Sequence, residues 1–222
     1  MNNITIGTTY YDNYEAFKAL VDHYKSWDDY KFIVVDDGSP KRPLEKNDVP
    51  ANWSLYRVTE DIGFNSEGCR NLIVHQCETE WVCLHDVDYL LKDKDMDFSD
   101  HDKRNLYNFQ DVEWRKRNAW KKKTDHAGRR YGLHNHNQIC VTKKYFLEIG
   151  GYDETYAGYY GQDVSLFNAS GCNRNVTEYE IFYNKNNNDV HIGRTPRDRK
   201  NSPEIILERH NRKLTFPWIK IQ

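Results

Sequence analysis

The chain has 222 residues, mean hydropathy −0.95 and a formal charge of −2 at pH 7, enough for one well-packed domain and too short for two large ones. That balance excludes a nucleic-acid partner held by overall charge, and no apolar run approaches the roughly 18 residues of a membrane-spanning helix. The five cysteines form an odd set without a Cys-x-x-Cys pair, and MNNITIGTTYY lacks the basic-then-apolar pattern of a secretory leader, so free thiols in a cytoplasmic compartment are expected.

In chain order, ITIGTTY (4–10) reads as a short strand, and YEAFKALVDHYKSW as a helix with Phe17, Leu20, Val21 and Tyr24 on one face. KFIVVDDGSP (31–40) is an apolar strand that stops in a turn sequence. SLYRVTE (54–60) gives a third strand, a helix follows over about 65–78, and WVCLHD is a fourth strand. This alternation predicts an α/β domain built on a Rossmann-like, mixed and mainly parallel sheet flanked by helices. The segment 92–134 is strongly charged, and its stretch 114–130 carries eight Lys or Arg against one Asp. That stretch is a solvated face, a basic lid over an anion, or a patch for a membrane surface carrying the acceptor. Beyond it come a strand, a short helix ending at Gly150-Gly151, a Tyr-rich loop, a helix from about Gln162, and a closing apolar strand or clamp in KLTFPWIKIQ.

Such sheets bind ligands outside the carboxyl ends of their strands. Three polar clusters fall there: Thr8, Thr9 and Tyr10; Asp36 and Asp37; and Asp86-Val87-Asp88. Side chains alternate along a strand, so Asp86 and Asp88 share a face with Val87 on the other, and their repulsion demands a cation or strong donors. Paired carboxylates beside a loop suit a hard divalent ion, Mn2+ or Mg2+, that also holds a diphosphate. One carboxyl of Asp36-Asp37 can accept from a base or a ribose hydroxyl while the other caps the turn. Arg70 can pair with Asp37 or meet an anionic ligand, and Gly63 permits close backbone approach.

FIVVDDGS, DIGFNSEGCRN, LHDVDYLL and IGGYDETYAGYYGQDVSLF stand in the order found in GT-A-fold glycosyltransferases. The first half resembles the inverting family-2 type. The second is similar to the β-1,4-galactosyltransferase family and, more loosely, to the polypeptide N-acetylgalactosaminyltransferases. The similarity covers about 4–91 and 137–194. It implies one GT-A domain over 1–222, with a nucleotide-binding half over about 1–91 and an acceptor-binding half over about 92–222.

The resemblance implies that Thr8, Thr9, Tyr10 and Asp37 hold the nucleotide, with Asp37 at the uracil position. It implies that Arg70 approaches the nucleotide, that Asp86 lies nearest the ribose with Val87 in the same motif, and that Asp88 and His191 ligate the metal. Asn188 stands where the galactosyltransferases have a thioether ligand. Asp163 in GYYGQD matches the catalytic base, which would take the proton of the acceptor hydroxyl as it attacks the anomeric carbon. Tyr159, Tyr160 and Gln162 fall on the acceptor side, and an amide at 162 followed by Asp163 favours inversion. The expected partners are a UDP-sugar donor and a glycan or lipid-linked sugar acceptor. Two other readings stay open: a sugar-nucleotide nucleotidyltransferase, which would need a Gly-rich phosphate loop that TTYYDNYE does not offer, and a non-catalytic carbohydrate-binding protein of the same fold. Asp163 as a helix N-cap is a further alternative.

Overall fold

The computed structural model describes residues 3–111, 134–157, 166–167, 169–171, 174–186 and 214–222. Nine strands in these residues form one mixed sheet: β1 (Ile4–Tyr10), β2 (Lys31–Asp36), β3 (Ser54–Val58), β4 (Trp81–Asp86), β5 (Tyr89–Leu91), β6 (Leu106–Asp111), β7 (His134–Thr142), β8 (Arg174–Tyr183) and β9 (Trp218–Lys220). Their order is β5-β8-β6-β7-β4-β1-β2-β3-β9. The block β4-β1-β2-β3 is wholly parallel and comes from the N-terminal half. Antiparallel pairing of β7 on β4 and of β9 on β3 extends it on both sides.

The parallel strands are apolar on both faces, so each face needs a cover. Phe17, Leu20 and Tyr24 of α1 (Tyr14–Tyr24) pack with Ile4, Ile6, Tyr10, Phe32 and Val34 on one face. Leu72, Ile73 and Val74 of α2 (Ser66–Gln76) pack with Val35, Val82 and Leu84 on the other. Alternation along a strand therefore sends even positions of β1 and β2, and odd positions of β4, towards α1. Their neighbours go towards α2.

Helix α2 is buried from Ser66 through Val74, because Phe146, Tyr152 and Phe216 close over its outer side. Phe146 belongs to the short helix α3 (Lys143–Glu148), which starts at Thr142, whose hydroxyl accepts from Tyr145 N. Gly151 has φ +63°, and a Cβ there would lie 2.8 Å from Asn71 Oδ1, so glycine lets the chain cross close to α2.

Sequence reasoning placed β1 to β4, β7, α1, α2, α3 and the closing strand, but not β5, β6 or β8. β8 alternates, with Thr177 and Ile181 buried and Glu178 exposed, so its signal was present. β6 conceals its signal, because the polar Asn108 and Asp111 are buried within it.

Candidate functional site

Three parallel strands end along one edge, and alternation sorts their terminal residues between two faces. Thr9, Asp37 and Asp86 fall on the α2 side. Thr9 is in register with Val35 on β2 and Asp86 on β4, and Asp37 N donates to Tyr10 O at 2.8 Å. Asp37 is 2% exposed and its Oδ2 accepts from Asn65 N at 3.0 Å, at the start of α2. A carboxylate there also gains from the positive end of the helix dipole.

Asp86 is held from two sides. Its Oδ1 accepts from Arg70 Nη2 at 2.5 Å and its Oδ2 from Gln138 Nε2 at 3.2 Å, while its own N–H donates to Gln138 Oε1 at 2.8 Å. Arg70 is 2% exposed and also donates from Nη1 to the hydroxyl of Tyr152 at 3.1 Å. Asn71, the next residue of α2, grips the backbone N and O of Tyr152 and also donates to Glu154, which in turn accepts from Thr215. A chain of polar contacts thus ties strand β4 through α2 to the loop after α3 and to the C-terminal segment.

This geometry adds a partner for Arg70 and corrects one expectation. Arg70, expected to pair with Asp37 or to meet the ligand, has an ion pair with Asp86 that sequence reasoning did not foresee, because α2 lies directly over that strand end. Asp86 and Asp88 do not share a strand face, because β4 stops at Asp86, and Val87 and Asp88 form a turn before β5. The positive charge that Asp86 requires comes from within the chain.

On the α1 side the same strand ends are structural. Tyr10 is 1% exposed, packs edge-on against Phe17 and donates its hydroxyl to Arg42 O. Thr8, on the same face, is also buried. The side chains of Thr8 and Tyr10, expected at the nucleotide, turn with the other even positions of β1 towards the α1 face. Asp36, fully buried, accepts from Ser39 N at 3.0 Å and Leu44 N at 2.8 Å and faces Arg57 at 3.5 Å. Burial pushes its carboxyl above the usual range, against the pull of those donors and of Arg57. His85 is also buried, and burial pulls its ring down to about 4. Its Nδ1 lies 3.0 Å from Asp86 O, so that nitrogen carries the proton, and Nε2 accepts from Tyr24 at 3.4 Å.

The turn itself is held by Asn184 at the end of β8. Asn184 N donates to Asp88 O at 2.8 Å, and its Nδ2 donates to Val87 O at 3.1 Å and Ala16 O at 2.9 Å. Asp88 is half-buried on this turn. It offers the hard oxygen that Mn2+ or Mg2+ accepts, so the donor chemistry fits a divalent ion. Both oxygens of Asp86 already accept hydrogen bonds. Among the described residues no group of three His, Cys, Asp or Glu is arranged to hold a metal. Gly63 has φ +86° and its N–H donates to Asp61, while a Cβ there would meet nothing within 4 Å, so its backbone turn rather than close approach requires glycine.

His191, Asn188, Asp163, Tyr159, Tyr160, Gln162 and the basic stretch 114–130 lie outside the described residues. Gln138, Tyr152 and Asn184 are the residues that sequence reasoning missed. Gln138 had one signal, an amide inside the apolar strand NQICV, and a buried polar side chain in such a strand is usually bonded to something specific.

No family model and no curated relative matches the chain. Solved structures do resemble it. The catalytic domain of Drosophila β1,4-galactosyltransferase 7 in complex with xylobiose aligns with TM-score 0.51 and 12% identity over 79% of this chain and 64% of that one. A mutant of that enzyme with manganese, UDP-Gal and xylobiose aligns with TM-score 0.50 and 10% identity over the same shares, 79% and 64%. GalNAc-T7 with UDP, GalNAc and Mn2+ aligns with TM-score 0.57 and 10% identity over 81% of this chain and 43% of that one. The chain therefore has the mixed α/β fold of GT-A glycosyltransferases, and it spans about 64% of the galactosyltransferase domains it resembles.

Proposed function

We propose that the chain is a metal-dependent glycosyltransferase that moves a sugar from a UDP-sugar to an acceptor hydroxyl with inversion. The observation that carries this reading is the meeting of Thr9, Asp37 and Asp86 on one face of the parallel strand ends, beside the Val87-Asp88 turn, in a fold shared with enzymes solved with UDP and Mn2+. Asp37 and Thr9 would meet the uridine, and Asp86, clamped by Arg70 and Gln138, would present a fixed acceptor edge to the ribose. Asp88 and His191 would hold the metal, which supplies charge neutralisation for the departing diphosphate. Asp163 would take the proton from the acceptor hydroxyl as that oxygen attacks the anomeric carbon and UDP departs from its far side. Tyr159, Tyr160 and Gln162 would flank the acceptor, a glycan or a lipid-linked sugar. In the second case the basic stretch 114–130 would meet anionic lipid. No helix among the described residues is long and apolar enough to cross a membrane.

The test is UDP release from a panel of UDP-sugars, with Mn2+ and with EDTA, for the wild type and Asp163→Asn. The reading predicts metal-dependent release by the wild type. It also predicts, once an acceptor is present, a turnover loss of about 10²–10⁴-fold in the variant with donor affinity retained. Release that ignores EDTA, or none with any UDP-sugar, would contradict it.

A further inference from the structure

We infer that Asn184 is a positioning residue for the Asp88 carboxylate, and this rests on the donor-site reading above. Asp88 sits between two peptide planes. The plane before it carries Val87 O, which accepts from Asn184 Nδ2 at 3.1 Å, and the plane after it carries Asp88 O, which accepts from Asn184 N at 2.8 Å. One residue, 97 positions from Val87 along the chain, therefore fixes the peptides on both sides of the Asp88 Cα. The direction of its Cα–Cβ bond is set by those two planes.

The backbone half of this grip follows from topology. β5 pairs antiparallel with β8, Tyr89 opposite Tyr183, and the Asn184 N–H continues that ladder to Asp88 O. The side-chain half does not follow from pairing and needs an amide. Both Nδ2 hydrogens are used, one on Val87 O and one on Ala16 O in the first turn of α1, while Oδ1 accepts from Asn186 N at 3.2 Å. The amide is 2% exposed with its donors on carbonyls and its acceptor on an N–H, so the orientation is decided by the partners. A leucine would leave Val87 O without its side-chain donor, and a carboxylate would set oxygen against two carbonyl oxygens. The Ala16 bond anchors the turn to α1 as well. On the other side Gln138 and Arg70 hold Asp86, so the motif is fixed from β7, α2, α1 and the end of β8 together. Groups that orient a metal ligand change metal affinity by about 10–100-fold when removed.

The test is calorimetric titration of UDP with and without Mn2+ on the wild type, Asn184→Ala and the near-isosteric Asn184→Asp, with thermal melting of each. The inference predicts that UDP affinity in Mn2+ falls about 10–100-fold in both variants while affinity in EDTA stays within about 2-fold of wild type, since only Asp88 is displaced. A purely structural Asn184 would lower the melting temperature and leave the ratio of the two affinities unchanged, and that result would overturn the inference. If Asn184→Ala does not fold, Asn184→Asp decides. Wild-type protein that binds UDP without Mn2+ dependence, or not at all, would sink the donor-site reading and this inference with it. Wild-type Mn2+ dependence that both variants keep would sink this inference alone.

Discussion

The two faces of one sheet edge carry opposite duties. Towards α1 the strand ends present Thr8, Tyr10, Asp36 and His85, all buried, with Asp36 bonded to the backbone of the turn that follows it. Towards α2 they present Thr9, Asp37 and Asp86, which meet a helix N-terminus, a buried guanidinium and the proposed donor. Asp36 and Asp37 are neighbours in sequence, yet one accepts from the loop after β2 and the other from the start of α2. A strand-ending Asp-Asp is thus two residues with one job each, and the pleat decides which is which.

The largest expected effect lies on the α2 face. Asp86→Ala leaves Arg70 buried without its carboxylate, which should cost about 3–5 kcal/mol in urea unfolding. A loss under about 1 kcal/mol would mean that Tyr152 and water satisfy the guanidinium unaided.

Next comes an effect of pH from the α1 face. His85 has its folded pKa depressed from 6.5 to about 4 by burial, so the unfolded chain binds its proton more readily. Its contribution is therefore intact above about pH 6.5 and is lost as pH falls towards 4. Stability at pH 5 should be lower than at pH 7.5 by about 2 kcal/mol from this residue, and His85→Gln should flatten that slope in matched urea titrations.

The neighbouring carboxylates then separate the two duties directly. Asp36→Asn weakens the bonds to Ser39 and Leu44 and should cost about 1–3 kcal/mol of stability while UDP affinity holds. Asp37→Asn should do the reverse, lowering UDP affinity about 10-fold, a loss of about 1.4 kcal/mol of binding energy, with a smaller change in stability. If the two variants exchanged these outcomes, the assignment of faces would be wrong.

Much of this was legible because burial writes itself into apolar runs. FIVV and WVCL announced parallel strands, and their polar ends announced the edge at which such sheets bind ligands. Periodicity along one strand could not show that Asp88 leaves β4 for a turn, since that depends on β5 pairing with β8 far along the chain. Nor could it show that Arg70 would meet Asp86, because the contact depends on where α2 crosses the sheet. Gln138 and Asn184 were hidden for the same reason. An amide acquires its role from partners that lie 52 and 97 positions away.

In the proposed donor site Asp88, on its pinned turn, joins a divalent ion to UDP. The most direct test is calorimetric titration of UDP into the wild type and Asp88→Ala, each with Mn2+ and with EDTA. Mn2+ should tighten UDP binding to the wild type, and Asp88→Ala should lose this gain while keeping the weaker metal-free affinity. Equal Mn2+ enhancement in both proteins would contradict this role for Asp88.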